Sequence, residues 1–565
     1  MKRNEINCIL SNNLGYNWYK RNGSCFKGYL FLQENNTVLR KDQALDYLYQ
    51  ANSLLELEKL LDQVDGVFSF IINKPEITFA GVDVARSMPL YYSEDGLFLS
   101  DNIKEISGKK KLQCSDIDLS SLEEIIIDRY IAFDRTIYNG IKQLDAGQVA
   151  EFYNAQITVH YYYTHKKNIV YSSRSEALNN FNEMSEKLFD EILKVVNGRP
   201  IVLSLSGGYD SRYIACMLKK LGKNNDISCY SYGKANSFEV KKAKQIADTL
   251  GFRWTFVEYT KDMVNKYLDG TYNDYFKTYQ GLDCPPYIQN FVAVSYLHEI
   301  GWFKKESIFI TGLCNDMQTG YYTKRMEEIP DFKPTMDFFT NYLISDRHFT
   351  KIFSETSLQK YKEVLSDVIQ KMDIRISNYQ EFVSAVDTIE AIGEHSRVFL
   401  HMNDVHAFFG YEWLIPCWSK LNLNFWYSQP SDFKVHQNLY EEWQLSSIPK
   451  QLGVAERKTI KGYSVTKKYM RYIARTKLIL KRIILYPLGI SLDEDYDVNY
   501  FDVVIAKYFK NIKQKYFFGF RNLALNNVLV FYLLEQELGT DFIKKLNYKK
   551  RKEKSFISPQ KCCEK

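Results

Sequence analysis

The sequence predicts an α/β protein with two unlike halves: an α+β half rich in antiparallel pairing, then a parallel sheet leading into a mainly helical part. Three observations predict it. Short β runs with one helical stretch fill residues 1 to about 165, strands and helices alternate from residue 201, and the pattern beyond about 335 is mostly helical.

In the first half, Gly66–Ile72 reads as a buried strand, followed by Thr78–Val84, Leu97–Ser100 and Val149–Tyr153, while Leu54–Leu61 has helical spacing. After Tyr161-Tyr162-Tyr163 the texture changes. Ser175–Val196 is a long amphipathic helix, stopped by Asn197-Gly198-Arg199-Pro200. The βαβ rhythm then runs through strand Ile201–Leu205, a helix from about Ser211 to Leu221, strand Ile227–Tyr232, helix Phe238–Leu250 and strand Trp254–Glu258. A further strand, Ser307–Thr311, follows a mainly helical insertion. Alternation of this kind implies a parallel sheet.

Composition narrows the function classes. The 565 residues suggest about two to four domains at roughly 150 residues each. Net charge is +6, too small for a whole-molecule nucleic-acid binder, so an anion site must be local. No window is apolar enough to span a membrane, and the N-terminus has no secretory pattern. The ten cysteines include no CxxC pair and read as reduced cytoplasmic thiols.

The chemistry is carried by Ser206-Gly207-Gly208-Tyr209-Asp210-Ser211, where a buried strand runs directly into a helix. Two glycines let backbone amides turn inward, the serines add donors, and the helix N-terminus adds partial positive charge. Together they make a nest for an oxyanion such as pyrophosphate. Asp210 would repel phosphate unless a divalent cation lay between them, which implies Mg²⁺. Serine and aspartate capping a plain strand-to-helix turn is the competing reading. No Gly-Lys-Ser/Thr follows, so γ-phosphoryl transfer is not indicated.

This loop resembles the pyrophosphate loop of the ATP pyrophosphatases, and of the asparagine synthetase family in particular. Spaced matches extend the resemblance. Ser231-Tyr232-Gly233 with Ser237-Phe238-Glu239 is similar to the family's second strand and helix, which implies that Tyr232 lines the adenine pocket. Thr311-Gly312-Leu313-Cys314-Asn315-Asp316 resembles the family's second nucleotide segment, with Thr311 and Gly312 near the nucleotide and Asp316 matching the second Mg²⁺ aspartate. Before it, Asp65–Phe70, Asp83–Tyr92 and Leu99–Lys104 follow the family's glutamine amidotransferase domain in order. The resemblance implies a degenerate class II amidotransferase-like sandwich over 1–165. An ATP-pyrophosphatase domain of the adenine nucleotide alpha hydrolase type would follow over 166–480, and a helical extension with a basic tail over 481–565.

The sequence departs from that family at informative places. The glutaminase nucleophile is a Cys at the mature N-terminus, but position 2 is Lys, and Cys8 and Cys25 cannot replace it. No glutamine hydrolysis is therefore expected. Leu313 stands where the family has an acid or tyrosine, and Met317 follows Asp316, so aspartate is a doubtful substrate. Glu394, with Arg397, falls near the family's Glu-x-x-Arg element; it would support proton removal from the attacking nitrogen or else form a surface salt bridge. Arg457-Lys458-Thr459-Ile460-Lys461-Gly462 falls where the family places a catalytic lysine. Lys461 is favoured and Lys458 second, with a solvated basic turn as the alternative. His401 and His406, five apart, read as hydrogen-bonded histidines rather than metal ligands.

The expected function is an ATP-dependent amide-forming synthetase in the cytoplasm. It would use ATP and Mg²⁺, a carboxylate substrate and ammonia or an amine, without nucleic acid or a membrane span, and a homodimer is compatible with it. Closing a peptide, modifying a glycan or secondary-metabolite precursor, and a non-catalytic ATP-binding scaffold are the alternatives.

Overall fold

A computed structural model gives the fold and describes residues 6–154, 156–165, 173–222, 226–235, 237–279, 281–346, 355–457 and 525–539. Lys458, Lys461 and most of 458–565 lie outside the described residues. The described first half holds eleven strands. They are β1 (Asn7–Ile9), β2 (Tyr19–Arg21), β3 (Ser24–Leu32), β4 (Thr37–Leu39), β5 (Val64–Asn73), β6 (Ile77–Val82), β7 (Tyr91–Ser93), β8 (Phe98–Ser100), β9 (Ile141–Gln143), β10 (Gln148–Tyr153) and β11 (Gln156–Tyr161). One sheet runs β11-β10-β6-β5-β3-β2 with β4 beside β3, and a second runs β1-β8-β7-β9.

Side-chain alternation makes these sheets a sandwich. On β5, Phe68, Phe70 and Ile72 join one core with helices α1 (Asp42–Leu48) and α2 (Leu54–Asp62). Ile71, one residue out of phase, joins a second core with Tyr92 and Leu99 of the smaller sheet. Only α2 is the expected helical stretch; α1 and two further helices, α3 (Ile103–Lys110) and α4 (Leu119–Asp128), correct the expectation of a single one here. Every residue from Ser121 to Asp128 is buried, which hides the 3.6-residue polarity pattern.

After α5 (Arg174–Val196) comes the parallel sheet. Its strands are β12 (Ile201–Ser204), β13 (Ile227–Gly233), β14 (Arg253–Glu258), β15 (Ile308–Ile310) and β16 (Glu412–Leu414), in the order β14-β13-β12-β15-β16. All four pairings are parallel. Helix α6 (Tyr209–Leu221) follows β12 and begins two residues earlier than its sequence pattern suggests; α7 (Phe238–Leu250) follows β13. The chain leaves β12 toward β13 on one side, while β15 pairs on its other side. This order reversal opens a crevice at the strands' carboxyl ends, the usual ligand position in such sheets.

The halves share one core, running from Tyr16 through α4 and the parallel sheet to Leu534 of the helix Leu525–Leu538. Buried ion pairs cross the same boundary. Arg86 meets Asp283 at 2.8 Å, and Arg397 pairs with Asp145 with both side chains at most 1% exposed. His165 is also enclosed: Nε2 donates to the Val84 carbonyl at 2.8 Å, and Nδ1 accepts from the Tyr427 hydroxyl at 3.1 Å. Among the described residues no helix is long and apolar enough to cross a membrane.

Candidate functional site

The crevice at the reversal point is a cleft of about 240 Å³. From the loop after β12 it takes Ser206, Gly208, Asp210 and Ser211, from the end of β13 Tyr232, and from the segment after β15 Thr311, Gly312, Leu313 and Asp316. Gly207 belongs to the same loop but turns away, where an added Cβ would stand 3.2 Å from the Lys242 Cβ.

The loop is held by its own hydroxyls. The Ser206 N–H donates to Ser211 Oγ at 3.1 Å, the two Oγ atoms lie 3.0 Å apart, and the Gly208 N–H donates to Ser206 Oγ at 3.2 Å. Gly208 is the N-cap of α6 and makes no side-chain cap bond, so the helix start is left to the loop and whatever the cleft holds. Behind the loop, the buried Arg212 donates to the Gly207 carbonyl at 3.1 Å and to the Glu456 carbonyl at 2.7 Å. Lys242 pairs with the Glu456 carboxylate, so the residue two before Lys458 is tied to the loop's rear face.

The second segment lies directly on the first. A Cβ on Gly312 would come within 3.1 Å of the Asp210 carbonyl carbon and 3.2 Å of its Cβ, so glycine permits this approach. The Thr311 N–H donates to the Leu414 carbonyl at 3.0 Å, fixing the segment to β16. Asp210 and Asp316 both help raise the Cys314 and Cys417 thiol pKa values, after burial, so the two carboxylates share one small region. Paired hard oxygen donors beside an amide-lined loop suit Mg²⁺.

The cleft's remaining lining comes from distant segments: Tyr287, Asn290, Met402, His406 and Gln437. Burial pushes the His406 pKa down to about 3, and its neutral ring stacks on Phe309 at 4.1 Å. Tyr232 stacks on Tyr259 at 5.4 Å, giving this end a flat aromatic wall.

Glu394 is not among the cleft-lining residues. It sits on the π-helical turn Ala391–Phe399, half-buried, with Arg129 at 3.3 Å. It is close enough to Tyr322 to raise the phenol pKa together with Asp316, after burial. Arg397, on the same turn, faces inward to Asp145.

A separate group, Asp283, Cys284 and His401, has ligand-type atoms within 4.8 Å of one another. Arg86 already engages Asp283, the Cys284 thiol donates to the Arg397 carbonyl at 3.2 Å, and His401 Nδ1 bonds Asp404 at 2.6 Å. Two buried guanidinium groups beside it oppose a divalent cation, and the cluster serves as a network between the halves.

Comparison with known proteins agrees with this layout. Residues 51–163 match the family model described as a glutamine amidotransferase domain, and residues 186–278 match the one described as asparagine synthase. This is the architecture of the asparagine synthetase family. Within that architecture, the Microcin J25-processing protein McjC of Escherichia coli is 23% identical over 199 residues, 34% of this chain and 36% of that protein. The NH₃-dependent NAD⁺ synthetase of Finegoldia magna is 24% identical over 155 residues, 27% of this chain and 61% of that protein. The chain thus spans about a third and about three-fifths of these relatives' lengths. Among solved structures, the NH₃-dependent NAD synthetase of Campylobacter jejuni is 16% identical over 34% of this chain and 93% of that one, at a TM-score of 0.19. The asparagine synthetase-type loop, Ser206–Ser211, falls inside the asparagine synthase match.

Proposed function

We propose that this chain is an ATP-dependent ligase that forms an amide by activating a carboxylate as its acyl-adenylate. The observation that carries the proposal is the cleft at the sheet's reversal point, where an uncapped helix start, a two-glycine loop and two carboxylates converge. An oxygen of the substrate carboxylate attacks the α-phosphorus of ATP, and the bond to the β-phosphate's bridging oxygen breaks. Pyrophosphate leaves against the loop amides and the Ser206 and Ser211 hydroxyls. For this the Gly208 N–H would exchange its bond to Ser206 Oγ for one to a phosphate oxygen.

Asp210 and Asp316 would hold Mg²⁺, which neutralises phosphate charge when bound. Tyr232, Tyr287 and neutral His406 make a flat, desolvated seat for the base. An amine nitrogen then attacks the acyl carbon, AMP departs, and the nitrogen's proton goes to Glu394. Lys461, with Lys458 second, supplies the cation for the negative charge developed in either step.

The nitrogen comes from ammonia or an amine rather than from glutamine hydrolysis. Burial pushes the Cys8 thiol up to about 12 and raises Cys25 as well, so neither thiol suits a glutaminase nucleophile. Apolar Leu313 in the cleft suits no free amino acid's ammonium group, which favours a carboxylate substrate other than a free amino acid. The test is product analysis with ATP, Mg²⁺ and a carboxylate pool. AMP and pyrophosphate are expected; ADP and phosphate would overturn the mechanism, and glutamate released from glutamine would overturn the inactive first half.

A further inference from the structure

Asp316 stands on a helix too short to hold itself. The helix Asn315–Thr319 has five residues, and its N-cap, Cys314, lies at φ 61° and makes no side-chain cap bond. Gly320 ends it at φ 97°. A single turn gains little from its own hydrogen bonds, so its direction is set from outside. Asn315, Met317, Gln318 and Thr319 are buried, while Asp316 is half-buried and lines the cleft. Asn315 and Gln318 are three positions apart, which puts them on one face of the helix.

That face is held by Asn422. Its Nδ2 donates to Gln318 Oε1 at 2.7 Å and to Asn315 Oδ1 at 3.2 Å. A further contact, to the Cys417 carbonyl at 2.8 Å, fixes which way the amide lies. Asn315, Gln318 and Asn422 are each 0% exposed, so solvent cannot stand in for this donor. Asn422 is itself pinned. Its N–H donates to the Ser419 hydroxyl at 3.2 Å, at the start of the helix Lys420–Ser428. The Lys420 N–H donates to the Asp65 carboxylate of the first half at 2.7 Å. Asn422 is not among the cleft-lining residues, so it acts on the cleft through the helix it holds.

We propose that Asn422 is the positioning residue of Asp316: by holding Asn315 and Gln318 it aims the carboxylate to share Mg²⁺ with Asp210. The proposal rests on the Mg²⁺ reading of the two aspartates and adds a residue outside the cleft on which that reading depends. Without Asn422 the helix stays in place at its far end, where Gln437 Nε2 donates to Thr319 Oγ1 at 2.6 Å. Its near end loses the donor to the buried Gln318 carbonyl and is free to turn, taking Asp316 with it.

The test uses the full chain and ATP dissociation constants measured by calorimetry, once with excess Mg²⁺ and once with EDTA. Asn422→Leu, close to asparagine in volume, is expected to weaken ATP binding about tenfold with Mg²⁺ and to leave it unchanged in EDTA. Gln318→Met removes the acceptor of the same bond and is expected to act in the same direction, which carries the test if Asn422→Leu does not fold. In an Asp316→Ala background, Asn422→Leu is expected to add nothing. Unchanged binding with Mg²⁺, an equal loss with Mg²⁺ and with EDTA, or a tenfold loss that persists in the Asp316→Ala background overturns the positioning role alone. Asp316→Ala that keeps the parent's Mg²⁺-dependent ATP binding overturns the metal assignment, and the positioning role with it.

Discussion

Gly312 shows how one missing atom shapes the site. Any side chain there meets the Asp210 backbone at 3.1 to 3.2 Å, so Gly312→Ala must push the two carboxylate-bearing segments apart. Its ATP KM is expected to rise about tenfold with little change in melting temperature, read by parallel kinetics and calorimetry. His165 carries a pH dependence. Burial pushes its pKa down to about 4, so the folded chain holds it neutral while the unfolded chain binds its proton near pH 6.5. Its contribution is complete above pH 6.5 and is lost as pH falls toward 4, by about 3 kcal/mol. Urea unfolding should show the parent losing that much more than His165→Gln over this interval, and equal losses would remove His165 as the cause. At this scale the loop Ser206–Ser211 was legible because its residues adjoin in sequence. Tyr287, Asn290, Met402, His406 and Gln437 were not, since they reach the cleft from separate segments with no shared local pattern.

Among the elements, the π-helical turn Ala391–Phe399 does two jobs with residues three apart. Glu394 faces Arg129 near the Asp316 segment, and Arg397 is buried against Asp145. Removing one member of that inner pair strands a buried charge, so Asp145→Ala is expected to cost about 3–5 kcal/mol. Asp145→Leu with Arg397→Met should recover much of the loss, and equilibrium urea unfolding measures both. Strand β5 could be read from the sequence as a short, nearly continuous apolar run, and the amphipathic α2, α5 and α7 because one face of each differs from the other. Strand β16 is three residues long, and α4 is buried along most of its length, so neither leaves a periodic trace.

For the whole molecule, the shared core from Tyr16 to Leu534 makes the two halves one folding unit. Denaturant unfolding followed separately by tyrosine and tryptophan fluorescence and by far-ultraviolet circular dichroism should give coincident transitions; two resolved transitions would contradict a common core. The sequence pointed to two halves of different texture but not to their fusion, because contacts such as Arg86 with Asp283 join residues far apart in the chain. The central claim is that the cleft adenylates a carboxylate. Its most direct test is pyrophosphate–ATP exchange with Mg²⁺, comparing aspartate, a pool of other carboxylates and a pool of peptides, with Asp210→Ala as control. The account predicts exchange that depends on a carboxylate other than aspartate and disappears in the control. Exchange that survives Asp210→Ala, or ATP binding with no exchange from any pool, would contradict it.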